Sequence, residues 1–398
     1  MVEYRPVPES DVEAFRRVLD YAFRAEVGPD PDREADEPAR IGDRRALYDG
    51  DDVVTTAVHL PLSVSVRDRW LDVAGLSAVA TRPEDRHRGL VGRLLAESLA
   101  EYRERGQSFC LLWPFKHPFY RRFGWGRLGT HGRFELEPAA LSALADHPLA
   151  GGRFEPLAVD DSAALQALDE RFAAAYDLAM RRTDAWYRHR FFEGQRTDPY
   201  VYGWYRDGEL RGYLRYDVDE ADEERRLRVW EFGAPDPDAA VNLLRFLHRH
   251  EAQVDAVRLH APADDRLFDL VDDPGEVELA VRPGPMGRLV DVAAGLESLP
   301  APPGVEARVT LAVEDGLAGW NDGSFTLTAE DGDLAVEPAA EGADRDATLP
   351  VETLSRLALG ATTVERAAVA GGLNADDAAR ADLAAVFPPR ALFLREFF

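Results

Sequence analysis

Apolar residues recur along the chain at two spacings, and the switches between them outline the elements. Residues 3–7, EYRPV, alternate as a strand does. Ser10 and Asp11 then cap a stretch that puts Val12, Phe15, Val18, Leu19 and Phe23 on one helical face. The polar, Pro-rich GPDPDREADEP at 28–38 predicts a loop. RRALY and VVTTAVHLPLSV flank Asp49-Gly50, a hairpin signal. A strand follows over Trp70–Thr81, a helix from about Gly89 to Arg105, and a strand in SFCLLWPF at 108–115.

Near residue 150 the pattern starts again. RFEPLAV leads to a helix opening at Asp160-Asp161-Ser162, a hairpin turns at Asp207-Gly208, RLRVWEFGAP reads as a strand, PDAAVNLLRFLHRH as a helix and AVRLHAP as a strand. The order repeats that of the first 150 residues, which predicts an internal structural repeat despite weak residue identity. The Pro-rich AGLESLPAPPG at 294–304 reads as a linker. Alternating strands (ARVTLAV, SFTLTAE, LAVEPA) and a helix-rich end from Val351 follow it, an α+β pattern. The expected fold class is mixed α+β and α/β, divided as residues 1–150, 151–294 and 295–398.

A chain of 398 residues, 45% hydrophobic, is long enough for two to four domains. No apolar run approaches the roughly 20 residues of a membrane helix. The N-terminus is acidic with no apolar signal region, so a cytoplasmic protein is expected. Asp+Glu total 73 against 47 for Lys+Arg, a net charge of −26, and Lys116 is the only lysine. Such a field repels nucleic acid and anionic lipid. The acid either attracts a cationic substrate or adapts the surface to molar salt, as in a halophile. Its spread over the whole chain favours salt adaptation. Cys110, the single cysteine, sits in an apolar run and reads as a buried, inert thiol. His248 and His250 stand at i and i+2 on a helix, do not share a face, and hold no metal.

The segment from Val79 to Leu99 carries the strongest chemistry. A strand ends at Val79, Ala80 and Thr81. A short loop brings Arg86, His87, Arg88 and Gly89, and a helix opens at Leu90, Val91 and Gly92. Free N–H groups at a helix start attract anions, glycines admit a ligand close to the backbone, and a pyrophosphate is the natural guest. An Arg-rich loop that merely solvates a helix start reads the same residues without a ligand. A literal GxGxxG at Gly124, Gly126 and Gly129 is followed by strand-like GRFELE rather than a helix, which excludes the dinucleotide reading.

The RxxG of Arg86–Gly89, after a strand and before an amphipathic helix, resembles the acetyl-CoA loop of GNAT acetyltransferases, whose pattern is Gln/Arg-x-x-Gly-x-Gly/Ala. The last small residue is Val91 here, with Gly92 one step later. HPFYRRFGW at His117–Trp125 resembles the Tyr-x-Arg-Phe-Gly-Tyr/Trp segment of the enhanced-intracellular-survival (Eis) family. WNDGSFTL from Trp320, LSRLALG at Leu354–Gly360 and the closing Phe397-Phe398 resemble the sterol-carrier-type domain that ends those proteins. The resemblance implies two tandem GNAT domains, the second degenerate, then the sterol-carrier-type domain. It implies transfer of an acetyl group from acetyl-CoA to a primary amine, on an aminoglycoside, a polyamine or a lysine side chain. Tyr120 becomes the general acid and the α-carboxylate of Phe398 the general base. A homo-oligomer, a hexamer built as a trimer of dimers, is implied on the same ground. Lys116 is a candidate for a CoA phosphate. Ser77, Glu26 and Glu396 are candidates for the acceptor pocket, each also readable as an ordinary strand serine or solvated carboxylate. The alternative is a non-catalytic CoA- or lipid-binding protein using the sterol-carrier-like domain. The net charge disfavours a third reading, a transcription-associated regulator.

Overall fold

The computed structural model describes residues 2–26, 41–193, 198–221, 224–264 and 266–398. The loop expected at 28–38 lies outside them. The described residues build three sheets. The first runs Val2–Pro6, Asp43–Asp49, Asp52–Val66, Arg69–Thr81, Phe109–Leu112, Met286–Leu289, Gly126–Arg127, with Met180–Arg181 against Asp52–Val66. The second runs Glu278–Pro283, Thr130–Leu136, Ala256–Ala261, Glu224–Gly233, Glu209–Ala221, Tyr200–Arg206, Arg153–Pro156. The third is Asp333–Pro338, Gly323–Glu330, Ala307–Glu314, Ala347–Pro350, Asn374–Ala375.

Most elements fall where the apolar spacing puts them. Helix Val12–Phe23 buries Val12, Phe15, Val18 and Leu19, while Phe23, its last residue, is exposed. The helix expected from Gly89 is Leu90–Glu104, with Gly89 and Arg105 as its caps. Its buried face is Leu90, Leu94, Leu95, Ser98, Leu99 and Tyr102. The strand at Phe109–Leu112 stops before Trp113 because Pro114 cannot extend the ladder. Asp207 and Gly208 both take positive φ, as a two-residue hairpin of that hand requires. In the second unit the helices Ser162–Ala173 and Pro237–His248 and the parallel pair Arg226–Val229 with Ala256–Leu259 repeat the order of the first.

The division at residue 150 is not the one the sheets make. Thr130–Leu136, taken from sequence as the end of the first unit, lies in the second sheet between Ala256–Ala261 and Glu278–Pro283. In exchange, Met286–Leu289 crosses back and inserts between Phe109–Leu112 and Gly126–Arg127. The boundary at 295 moves as well. Helix Val292–Glu297 is capped by Asp291 and belongs with the third sheet: Val336 N–H donates to Glu297 Oε1 at 3.1 Å, and Val292 N–H to Asn321 Oδ1 at 2.9 Å. The rejected GxGxxG has a packing role. A Cβ on Gly124 would lie 2.7 Å from Val351 Cγ1, and one on Gly126 2.8 Å from the Glu352 carbonyl oxygen. These glycines let the third domain's helix Val351–Ala358 approach the first sheet.

A polar network fastens the helix Leu90–Glu104 to the first sheet. Glu101 accepts from Tyr4 at 2.6 Å and from Arg45 at 2.5 Å. His59, buried beneath, meets Ser98 at 3.0 Å and is pushed down to about 3 by burial, so it is neutral. Burial alone would raise the Glu101 carboxyl, but Arg45 and Tyr4 hold it down to about 2. A carboxylate with a depressed folded-state pKa contributes stability above its unfolded value and loses it as pH falls. Glu101→Gln should therefore be less stable than wild type at neutral pH. The gap should narrow as pH drops from 4.5 toward about 2, measured by chemical denaturation.

Candidate active site

The strand Arg69–Thr81 runs parallel to Phe109–Leu112 only at Ala74–Cys110 and Gly75–Leu111. Beyond Gly75 the two part. The same strand carries a bulge: Val58 faces Ser77 and Thr56 faces Ala80, leaving Ala78 and Val79 opposite Ala57. Ala78 has φ of +55°, and its carbonyl is held by the Thr56 hydroxyl at 3.0 Å. A bulge re-aims the backbone that follows it. Ser77, Ala78, Val79 and Thr81 are half-buried here, against the buried run Val73–Leu76. Among the described residues the strand thus has no register partner on its Phe109–Leu112 side beyond Gly75, and Ala78 and Val79 have none on the other side.

The loop below the cleft is an open anion cradle. His87 and Gly89 take φ of +63° and +76°, alternating with neighbours of negative φ, which turns successive N–H groups to one side. Among the described residues no side chain caps the helix at Gly89, so the N–H groups of Leu90, Val91 and Gly92 are left without a capping partner there. Arg86, His87, Arg88 and Gly89 are exposed, and among the described residues nothing lies within 4 Å of where a Gly89 Cβ would be. Gly92 is closed by packing: its Cβ would meet the Phe123 ring at 3.1 Å. Arg86 lies 3.4 Å from the Thr81 carbonyl and 5.7 Å over the Tyr21 ring. Arg88 is less free than its sequence position implies. It is bound by buried Asp85, which also takes Arg82 at 2.7 Å, and by Asp49 at 3.1 Å. Asp85 shapes the loop and was missed from sequence. Its spacing, three residues from each arginine, was the available signal. Lys116 is exposed at the N-cap of the helix His117–Arg121.

Tyr120 lies on that helix, buried to 4% exposure, with Phe119, Phe115 and Trp125 edge-on at 5.2, 5.8 and 6.2 Å. Its hydroxyl has no hydrogen-bond partner among the described residues, yet it is not one of the sealed unpaired atoms. Burial, with Cys110 behind it, pushes the phenol well above its ordinary value. Cys110 is buried and itself pushed up to about 12, an inert thiol.

The chain end is docked. Asp177 N–H donates to Ala391 O and Phe393 N–H to Asp177 O, at 2.9 and 3.0 Å. Trp113, where the first sheet's strand ends, donates its Nε1–H to the Glu396 carbonyl at 2.6 Å and stacks on Phe397 at 4.2 Å. Phe398 is half-buried, edge-on to Trp186 at 6.4 Å. One acceptor-pocket candidate separates from this arrangement. Glu396 is buried at 5% and its carboxylate is engaged by Arg182 at 2.6 Å, so it faces protein rather than an acceptor. Glu26 is exposed beyond the helix Val12–Phe23. His248 and His250 bond backbone carbonyls, and no cluster of three metal-ligating side chains occurs among the described residues. No helix among them is long and apolar enough to cross a membrane.

A splayed parallel strand pair, a bulge at its mouth and an anion cradle on the next helix define an acyltransferase of the GNAT class. Family models agree: an acetyltransferase (GNAT) domain matches residues 3–128, a second acetyltransferase (GNAT) domain residues 178–289, and a sterol carrier protein domain residues 292–395. A Streptomyces avermitilis protein described as an uncharacterized N-acetyltransferase is 25% identical over 410 residues, spanning 96% of this chain and 95% of its own. One from Streptomyces griseus is 29% identical over 313 residues, 73% of each. The fold matches a GCN5-related N-acetyltransferase from Anabaena variabilis (TM-score 0.84, 21% identity) and Eis1 from Mycobacterium abscessus (0.75, 22%), both over the whole of each chain. The chain belongs to the GNAT N-acetyltransferases, with two tandem GNAT domains and a closing sterol carrier domain in an Eis-like architecture.

The cradle generates a test. Gly89→Leu places a side chain where a phosphate would sit and strains a left-handed backbone by about 1–2 kcal/mol. Binding of CoA, measured by calorimetry, should weaken at least about tenfold while circular dichroism stays that of the wild type.

Proposed function

We propose that the chain transfers an acetyl group from acetyl-CoA to a primary amine in the cleft between the bulge at Ala78–Val79 and Tyr120. The observation that carries this reading is the pairing of an open cradle at Arg86–Gly92 with a phenol whose hydroxyl is unpartnered in an aromatic pocket. In it, N–H groups of Gly89, Leu90, Val91 and Gly92 hold the pyrophosphate, helped by Arg86. N–H groups near Val79–Thr81 hold the thioester carbonyl and the oxyanion that forms when the amine nitrogen attacks. As the tetrahedral species collapses, the C–S bond breaks and the thiolate takes a proton from the Tyr120 hydroxyl. The upward shift of the phenol keeps that proton in place beforehand. The leaving thiolate is raised by the same dry surroundings, which keeps the transfer feasible. The amine must lose a proton before or during attack, and the Phe398 carboxylate is the base in this reading, brought by the docked tail. The acceptor is a small amine, polyamine, aminoglycoside or lysine side chain.

The second GNAT domain does not repeat this chemistry. At the equivalent helix start, Pro237–His248, the N–H of Ala239 is already taken by the Asp236 carboxylate at 2.9 Å, and Arg171 and Arg211 bind the same group. A side-chain anion fills the place a phosphate needs.

Tyr120→Phe should lower kcat by about 100-fold or more, the scale of a positioned acid, with little change in CoA affinity. Steady-state kinetics beside calorimetry checks this; unaltered turnover means that water protonates the sulfur. Deleting Phe398 moves the carboxylate by one residue and should also lower kcat by roughly 100-fold while sparing CoA binding.

A further inference from the structure

Arg182 is fully buried in the second GNAT domain, at the hub of a dry ionic cluster. Its guanidinium lies 3.3 Å from Asp169, 2.5 Å from Glu231 and 2.6 Å from Glu396. Arg395 binds Asp169 at 2.7 Å and donates to the Tyr213 hydroxyl at 2.8 Å. Tyr213 donates to Asp169 at 2.8 Å or Glu231 at 3.1 Å, and Tyr187 donates to Asp169 at 3.1 Å. All seven side chains are buried. Two of the charges, Arg395 and Glu396, come from the tail; the other three belong to the second domain.

Such a cluster is a poor way to gain stability, because desolvating each ion costs several kcal/mol and an apolar replacement is often neutral. It is a strict way to fix register. Sliding the tail by one residue would set Phe397 or Arg395 against Arg182 and leave a buried carboxylate without its cation. With the register fixed, Glu396 O reaches Trp113 and Phe397 lies on the Trp113 ring, with His131 and His260 edge-on at 5.9 and 6.0 Å. Arg190 binds the Phe397 carbonyl at 3.2 Å. The tail is thus gripped by the second domain two residues before Phe398 and laid against the strand end of the first.

We propose that Arg182 is a positioning residue for acetyl transfer: it sets where Phe398 stands, so that the second GNAT domain serves as the receptor for the tail that completes the first domain's site. This rests on the reading of the Phe398 carboxylate as the base.

The test uses the full chain. Arg182→Met combined with Glu396→Gln removes one charge of each sign, leaves Arg395 on Asp169 and leaves Glu231 held by the Tyr213 hydroxyl. Kcat should fall about tenfold or more with KM for acetyl-CoA within about twofold, the mark of a lost transition-state arrangement rather than lost binding. Carboxypeptidase A should release phenylalanine from the end about tenfold faster, because cleavage follows the open population. Arg182→Lys, which keeps the charge but not the planar fork, should fall between. A tail that stays protected in the double variant overturns the proposal, and so does a freed tail with undiminished kcat. Deletion of Phe398 separates the two readings. Full kcat after deletion removes the carboxylate base. Lost kcat after deletion, beside a double variant that behaves as wild type, removes Arg182 and leaves the base standing.

Discussion

Two guanidiniums and three carboxylates share one dry site between the second domain and the chain end, and the geometry there keeps every carboxylate against a guanidinium. Arg182 lies on the segment after the short strand Met180–Arg181, which is itself paired to Asp52–Val66 of the first sheet. Asp169 is on the helix Ser162–Ala173 and Glu231 on the strand Glu224–Gly233. Three segments of the second domain, one of them continuing a strand paired to the first sheet, and the tail converge on one ion cluster. None can move far without stranding a charge, a penalty of about 3–5 kcal/mol for a broken buried pair.

A second charge joint works in the same way elsewhere. Arg67, in the hairpin turn between the first sheet's two longest strands, is buried and pushed down to about 10 by that burial. Its backbone N–H meets Asp177, and its guanidinium meets the carbonyls of Pro300 and Val386, at 3.1, 3.3 and 3.1 Å. Arg288, on the exchanged strand Met286–Leu289, is bound by Asp315 of the third domain and by the Phe123 carbonyl. An arginine fork reaching several acceptors at once ties domains together at each of these points.

The parts of the fold legible in the sequence are those written in local spacing. The helix Leu90–Glu104, the glycine before it and the hairpin at Asp207-Gly208 follow from periodicity and turn chemistry. The bulge at Ala78 does not, since nothing marks an alanine for positive φ; the partner strand's Thr56 imposes it. Strand partnership is equally silent. Residues Thr130–Leu136 alternate buried and half-buried in a way that would suit either sheet, and only the fold decides which. Apolar Phe397 and Phe398 pointed to a docked end. The ion cluster behind them joins residues more than two hundred positions apart, and charge in an acidic chain is too common for one arginine to stand out. Glu396 shows the cost of that: read alone it is a carboxylate for a cationic acceptor, while in three dimensions it is half of a lock.

The exchange of strands between the first two sheets also sets an order of assembly. A ribosome delivers the chain from its N-terminus, and domains ordinarily fold as they emerge. Here the first sheet has a gap beside Phe109–Leu112 that only Met286–Leu289 fills, and that strand appears after the second sheet has been made. The nascent N-terminal domain must wait, its apolar edge open, through the synthesis of its neighbour. The domain that begins first is therefore finished late, and it is closed only when a later part of the same polypeptide returns to it.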